Sequence, residues 1–428
     1  MPKSITYYLW SFVERFGASL VSFGGNLVLA YLLEPSDFGM VAMLGIFTSL
    51  IFTLVDCGLS YGLLRESNPT DRDFNTLFFF NLASGTALCL LFAALSPVVA
   101  WYMDQPALQP VMAALGVGAV FSGLTIAQFT RLRSRLQFRL VAIINLGSIV
   151  LALACAIAAA LAGWGYWSLV VLQAGFPAMS WLLLALFSRW NLRWEFDVMR
   201  FRQLWRFGAN LLLSYTFVQI ANNVFAFVLG KFYNPLQAGY MGQAQKLQQT
   251  PTNSIEGAIT STSFVLIAKE TQPDKRRAAI LRMLGITTLV IALLCGTLIG
   301  LGRPIIDILL PDKWLPAVPF VQLMAVWGLV YPLCNFMQLI FKIYDRTAVI
   351  RNIIFIEKAC IVVSAFALYH YGVATIILAA TAISATALIA YMVAASRVTS
   401  IPFSSLLGNY LRSLLAAIPL AALSLLFQ

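Results

Sequence analysis

Seven ionisable side chains fall inside apolar runs long enough to cross a bilayer: Glu14, Arg15, Asp56, Lys246, Glu256, Glu357 and Lys358. Charge at that depth is costly, which makes each one a functional hypothesis by default. The cations have the chemistry to hold an anion, and the carboxylates to carry H⁺ or a metal cation. Counted as ionised they sum to 3 − 4 = −1, so some of the acids must be paired, protonated or cation-bound. Polar residues surround them at helical spacing. Ser11, Arg15, Ser19, Ser22 and Asn26 form one stripe in the first apolar run. Further on, Gln245, Gln249, Thr252, Glu256, Thr260 and Ser263 share a helix face, and Gln243, Lys246, Thr250 and Asn253 line the adjacent one. Pro251, among them, is placed to kink that helix. Tyr215, Gln219, Asn222 and Asn223 add to the set, which together outlines a hydrated cavity with some positive charge.

The competing account is that polar residues act as interhelical hydrogen-bonding glue. That account suits single residues such as Gln128, Asn145 and Asn335, but a helix as polar as the one around Pro251 exceeds what contact requires. Asp56 lies about 12 Å from the nearer end of its run, at 1.5 Å per residue. A nearby arginine partner would explain it equally well. Glu14–Arg15 and Glu357–Lys358 are sequence neighbours about 100° apart on a helix, so neither is automatically an ion pair.

The elements that must position these groups follow from composition. Of 428 residues, 60% are apolar and 11% charged, against roughly 25% charged in a soluble domain. Mean hydropathy is +0.84. The chain is therefore expected to be an all-α polytopic membrane protein. Hydrophobic windows place helices near 7–33, 40–63, 76–102, 109–130, 141–162, 167–188, 207–229, 238–268, 278–302, 317–341, 352–369, 373–396 and 410–428. The N-terminus enters the first run without an Ala-x-Ala cleavage site and reads as a retained helix. A single histidine, His370, and six cysteines without CxxC spacing argue against a metal site, and no cofactor is implied.

The net charge is +11, from 28 Lys+Arg against 17 Asp+Glu. On the thirteen-helix alternation, three cations are intramembrane (Arg15, Lys246, Lys358) and three face one side (Lys231, Arg303, Lys313). The other twenty-two of the 28 fall on the side of the N-terminus, which is thereby expected to be cytoplasmic. The basic balance is a topology signal, with attraction to membrane lipids, rather than a nucleic-acid surface. The segment 189–206 reads as an interfacial helix, because Val198, Phe201 and Leu204/Trp205 alternate with Arg200, Gln203 and Arg206.

Six windows precede that link and six follow it. The turns Pro35-Ser36-Asp37-Phe38-Gly39 and Pro235-Leu236-Gln237-Ala238-Gly239 repeat Pro-x-x-x-Gly at corresponding places. Turns around Trp101–Pro106 and Leu310–Trp314, and around Gly163–Trp167 and His370–Gly372, also correspond. The expected organisation is a six-helix lobe over 1–188, the linker helix 189–206, a second lobe over 207–396, and a linker with a thirteenth helix over 397–428. Parallel repeats of this kind are related by a pseudo-two-fold axis along the membrane normal, with a solute site between them.

Several segments resemble the polysaccharide transporter branch of the multidrug/oligosaccharidyl-lipid/polysaccharide flippase superfamily. They are Leu33-x-Pro35-x-Asp37-Phe38-Gly39, Asp56-x-Gly58-Leu59, Arg135-x-x-Phe138-Arg139-Leu140, Gly165-x-Trp167-x-Leu169-Val170, Gly239-Tyr240 and Asp312-Lys313-Trp314. The similarity runs along nearly the whole chain, and its motifs are structural turns rather than catalytic signatures. It implies two lobes in a V with alternating access, in a bacterial cytoplasmic membrane. The implied activity is flipping of undecaprenyl-diphosphate-linked oligosaccharide, an O-antigen, capsule or exopolysaccharide repeat unit, from the inner to the outer leaflet. It also implies, as partners, the polymerase and chain-length proteins of the same pathway. On that footing Arg15, Lys246 and Lys358 are expected to hold the diphosphate. Ser22, Asn26, Gln219, Asn222, Gln243, Gln249 and Asn253 would line the sugar cavity, and Glu14, Asp56, Glu256 and Glu357 would be candidates for H⁺ or Na⁺ coupling. The chain departs from the family's even helix number, so either the thirteenth helix is not a full span or another follows it. Two other functions compete: a cation-coupled multidrug exporter of the same superfamily, whose cavity should be acidic and aromatic, and a membrane polysaccharide polymerase or ligase. External links of about 5–15 residues, an ordinary connecting length, are short for the catalytic loop such an enzyme needs.

Overall fold

The computed structural model describes residues 3–66, 69–188, 190 and 192–425. Seventeen α-helices run through them, and no strand is present among the described residues. In chain order these are α1 (Lys3–Leu32), α2 (Pro35–Met43), α3 (Gly45–Asp56), α4 (Leu59–Leu64), α5 (Asp71–Tyr102), α6 (Leu108–Ser134), α7 (Phe138–Leu161), α8 (Trp167–Phe187) and α9 (Val198–Phe232). Then follow α10 (Pro235–Lys269), α11 (Pro273–Gly300), α12 (Gly302–Leu309), α13 (Val318–Gly328), α14 (Tyr331–Ile343), α15 (Thr347–Ala367), α16 (Val373–Thr399) and α17 (Phe403–Leu425). Helices fill the thirteen expected windows, with 40–63 divided among α2, α3 and α4 and 317–341 between α13 and α14, and the protein is an all-α polytopic membrane protein. Among the described residues seven segments are long and apolar enough to cross a membrane by length and composition alone, or eight if the bent pair α2–α3 counts as one span. The seven are α5, α6, α7, α8, α11, 312–343 and α16. None of them contains any of the seven ionisable residues singled out above, which lie on α1, α3, α10 and α15.

Breaks in the helices have local causes. Pro35 starts α2, where the Asp37 carboxylate accepts the backbone N–H of Glu34 at 3.0 Å. The axis then bends by 55° between α2 and α3. Between α3 and α4 both Cys57 and Gly58 adopt left-handed backbone, with φ of 48° and 76°, a conformation glycine tolerates and a cysteine holds only when packing imposes it. Thr70 and Asp73 cap α5 reciprocally, Thr70 N–H donating to Asp73 at 2.8 Å and Asp73 N–H to the Thr70 hydroxyl at 3.3 Å.

The chain divides into two compact units, residues 1–239 and 240–428. In the first, α5 and α6 pack closely through small residues. A Cβ on Gly85 would collide with the Ala119 carbonyl, and one on Gly123 with that of Asn81. Around the α4 end, Leu59, Leu63, Phe74, Leu77, Ala127 and Leu204 form a core. The second unit centres on Leu284, Phe336, Met337, Ile340, Phe341, Tyr391 and Met392, from α11, α14 and α16.

Two expectations about the centre of the chain change. The expected interfacial helix over 189–206 is not present: 192–197 has no helical structure, and 198–206 forms the first turns of the 35-residue α9. Arg189, where the expected helix began, lies outside the described residues. The reason is a cap. The Asp197 carboxylate accepts the Arg200 backbone N–H at 3.0 Å and starts the helix there. Gly208 then lets α9 run on past the α3–α4 turn, because its missing Cβ leaves room for the Cys57 carbonyl. Ahead of the cap, Trp190, Leu192, Trp194 and Phe196 alternate at a period of two rather than at helical spacing. Trp190 stands edge-on to Phe78 at 5.6 Å and Trp194 stacks on Phe79 at 4.8 Å, which straps the segment to α5. The second difference is that α9, expected to open the second lobe, packs with α2, α3, α4 and α5 in the first unit.

Candidate functional site

In the first unit the α1 stripe splits by burial. Glu14 is 8% exposed, and its carboxylate accepts from Arg133 Nη2 at 3.0 Å and from Asn145 Nδ2 at 3.4 Å. Those donors come from α6 and α7, so the acid is satisfied across three helices. Arg15, one residue on, points elsewhere and is exposed. Asn26 is buried, while Ser22 is exposed and lines a cavity of about 240 Å³ with Ile149, Leu153, Leu172 and Phe176. Asp56 ends α3, and its described partners are local: it accepts from the Ser60 hydroxyl at 2.5 Å and the Ser60 N–H at 3.2 Å. The Ser60 hydroxyl in turn accepts from Thr130 at 3.0 Å.

A second cavity of the first unit, about 330 Å³, is lined by Gly45, Thr48, Ser49, Gln173, Phe176 and Asn223 among others. Asn223 Nδ2 donates to the Ser49 hydroxyl at 3.1 Å and to the carbonyl of Gln219 at 2.9 Å. Of the α9 amides Asn223 lines this pocket, which is mainly apolar and uncharged, whereas Gln219 and Asn222 do not. Thr48, Ser49 and Gln173 escaped the sequence reading. One signal was available for Gln173, since Pro177 lies four residues further along α8 and lacks the N–H that would bind its carbonyl.

In the second unit α10 carries its polar residues on several faces. Gln243, Thr252, Glu256 and Ser263 are buried, whereas Lys246 and Asn253 are exposed and Gln249 is half-buried. Pro251 sits inside α10 without ending it. Thr252 donates to the carbonyl of Gln248 at 2.7 Å, the back-bonding that lets a hydroxyl persist inside a helix. Glu256 accepts from the Thr260 hydroxyl at 3.1 Å and from the Asn335 side chain of α14.

Glu357 and Lys358 do pair. The ammonium lies 3.1 Å from the carboxylate with both residues 3% exposed. A lysine stem is long enough to swing back across the 100° that separates neighbours, and two buried charges cannot otherwise remain ionised. Two side chains hold the pair, and a third holds one of those two. Lys358 Nζ lies over the Tyr331 ring at 4.6 Å. The Ser384 hydroxyl donates to Glu357 at 3.0 Å, and Trp327 Nε1 donates to Ser384 at 3.2 Å. Lys358 is thus neutralised inside its own unit, and Glu357 already has a counter-ion.

The structure brings Glu357 together with Lys358, and leaves Arg15 and Lys246 as exposed cations on α1 and α10. No cluster of three or more His, Cys, Asp or Glu able to hold a metal occurs among the described residues.

The chain is thus an all-α, polytopic membrane protein whose two uncharged cavities are mainly apolar with a few polar groups. The family model described as polysaccharide biosynthesis protein matches residues 28–319, and the chain belongs to that family. Among curated relatives, it is 25% identical over 287 residues to the teichuronic acid biosynthesis protein TuaB of Bacillus subtilis, covering 66% of this chain and 59% of that protein. It is 22% identical to the lipopolysaccharide biosynthesis protein WzxC of Escherichia coli, over 78% of this chain and 68% of that one. The chain therefore spans about six to seven tenths of the length of these relatives. Among solved structures it is similar to the lipid II flippase MurJ in an inward closed conformation, with a TM-score of 0.77, 14% identity, and coverage of 98% of this chain and 97% of that one. An inward-facing multidrug resistance transporter of the MATE family gives a TM-score of 0.70 at 14% identity, over 90% and 94%. At these identities the structural likeness concerns the fold.

Proposed function

We propose that the protein is a flippase that moves diphosphate-linked oligosaccharide lipid from the inner to the outer leaflet of a bacterial cytoplasmic membrane by alternating access, with its N-terminus cytoplasmic. The observation that carries this reading is the family match over residues 28–319; within it Arg15 and Lys246 stand exposed on α1 and α10, and Lys358 is held by Glu357. Two cations in such positions suit an anionic diphosphate. The uncharged groups Ser22, Thr48, Ser49, Gln219 and Asn223 suit sugar hydroxyls. Translocation of this kind makes and breaks no covalent bond, so no catalytic residue is assigned. Among the four acids Glu14 and Glu357 already hold cations. Of the other two we take Glu256 as the candidate for H⁺ or Na⁺ coupling, because it accepts from the neutral Thr260 and Asn335 side chains and lies on the polar α10, with the Lys342 charge also acting on it. Polymerase and chain-length proteins of the same pathway are the partners this activity calls for.

The test is reconstitution in liposomes with lipid-linked oligosaccharide and a leaflet-specific readout. Arg15→Ala and Lys246→Ala should each reduce translocation at least about tenfold, the effect of roughly 1.4 kcal/mol of lost interaction. Full transport in both variants would remove the diphosphate clamp. Glu256→Gln should abolish the dependence on an ion gradient, and an unchanged dependence would remove the coupling assignment.

A further inference from the structure

A cavity of about 600 Å³ lies in the first unit between the start of α5, the end of α6 and the strap that precedes α9. It is lined by Asp71, Arg72, Asn75, Arg131, Trp190, Arg193 and Glu195. Positive charge prevails there. Arg131, only 8% exposed, shares the single carboxylate of Asp71 with Arg135, at 3.2 and 2.7 Å. Arg72 reaches Asp197 only at 3.5 Å. Two buried polar groups of the lining are left over as well. Among the described residues the Trp190 indole N–H has no acceptor, and the Asn75 side-chain oxygen has no donor although Asn75 is 1% exposed. Rotation of the Asn75 amide would present its NH₂ instead. Buried polar groups are normally satisfied, and each exception calls for a partner.

We propose that this cavity binds a phosphate group, and that its source is the headgroup of an anionic glycerophospholipid. The lining's three guanidiniums outnumber its two carboxylates, Asp71 and Glu195, and with the indole N–H they favour a negatively charged ligand rich in acceptor oxygens. Arginine forks match phosphate geometry, and basic pockets between membrane helices on the cytoplasmic side recruit anionic headgroups. The volume lies within the ordinary range of small-ligand sites. The apolar side chains beside the cavity favour a lipid over a soluble anion. Arg193 lies between Leu192 and Trp194, the latter 91% exposed, and Leu186 and Phe187 at the end of α8 are exposed as well. Acyl chains would cover that surface while the phosphate enters the polar lining. Occupancy needs no transport activity, so its test is independent of the flippase reading.

The experiment uses the full chain purified in neutral detergent, with unfolding temperature read against added phosphatidylglycerol, phosphatidylcholine or inorganic phosphate. Bound phosphatidylglycerol is counted by native mass spectrometry. Phosphatidylglycerol should raise the unfolding temperature and phosphatidylcholine should not. The double variant Arg72→Gln/Arg193→Gln changes two exposed side chains and should lose most of that shift and of the retained lipid. Trp190→Phe keeps the ring against Phe78 and removes only the N–H, and should weaken binding severalfold. Arg397→Gln, an exposed arginine at the end of α16, should behave as the parent protein. If inorganic phosphate alone reproduces the shift with the same variant dependence, the phosphate site stands and its source is a soluble anion. Equal shifts with both lipids, or equal losses in the Arg397 and Arg72/Arg193 variants, would overturn the site.

Discussion

Gly39 and Gly239 meet backbone to backbone. A Cβ on Gly39 would collide with the Pro235 carbonyl and lie 3.1 Å from the Gly239 nitrogen. A Cβ on Gly239 would collide with the Pro35 carbonyl and lie 3.1 Å from the Gly39 nitrogen. The two Pro-x-x-x-Gly turns, 200 residues apart in the chain, thus make the same contact on one another. Because the opposing atoms are backbone, no side chain can swing aside. Gly39→Val or Gly239→Val should therefore destabilise by about 1–3 kcal/mol or more, the cost of overpacking. Gly24→Ala on α1, where a Cβ would meet nothing within 4 Å, should be neutral or slightly stabilising. Unfolding temperatures in detergent check the contrast, and equal behaviour of Gly24 and Gly39 variants would contradict it.

The Glu357–Lys358 pair should show strong coupling in a double-mutant cycle. Glu357→Gln or Lys358→Met alone leaves a buried charge without its partner, at a cost of about 3–5 kcal/mol. The double variant should recover most of that loss. Thermal or denaturant unfolding gives the coupling energy, and additive single effects would show that the pair contributes nothing as a pair.

Arg15 and Arg133 should fail in different ways. Arg133 is the cation that Glu14 depends on, so Arg133→Ala should lower the unfolding temperature. Its half-exposed guanidinium limits the loss. Arg15→Ala should leave stability almost unchanged and depress transport. The reverse pattern would reassign both residues.

Asp197→Ala removes the cap of α9 and should cost about 1 kcal/mol. Hydrogen exchange should report faster opening of the residues from Val198 to Arg202, with the middle of α9 unaffected. Uniform acceleration along the helix would mean that the cap is not what starts it.

Helix positions were legible because each window of about 20 apolar residues has no alternative in a bilayer. What periodicity cannot report is a partner distant in the chain. The Arg133 guanidinium counted as one more orienting charge until the fold placed it on Glu14, 119 residues away. The strap was misread for a different reason. The helical spacing of Val198, Phe201 and Leu204 is real, but it belongs to α9, and the period-two aromatic run from Trp190 to Phe196 was merged with it. The Thr48–Ser49–Gln173 pocket was invisible because hydroxyls and a single amide are ordinary in membrane helices, and only their convergence is informative. Chain order also suggested a boundary at 206, whereas packing carries α9 into the first unit.

Adjacent placement of Glu357 and Lys358 constrains how this chain can diverge. Losing either charge first passes through a protein with an unpartnered ion in its core, at a cost of about 3–5 kcal/mol, comparable to the whole margin of a small fold. The neutral path therefore changes both codons together. The two positions should behave in descendants as a single heritable character, lost or kept as one.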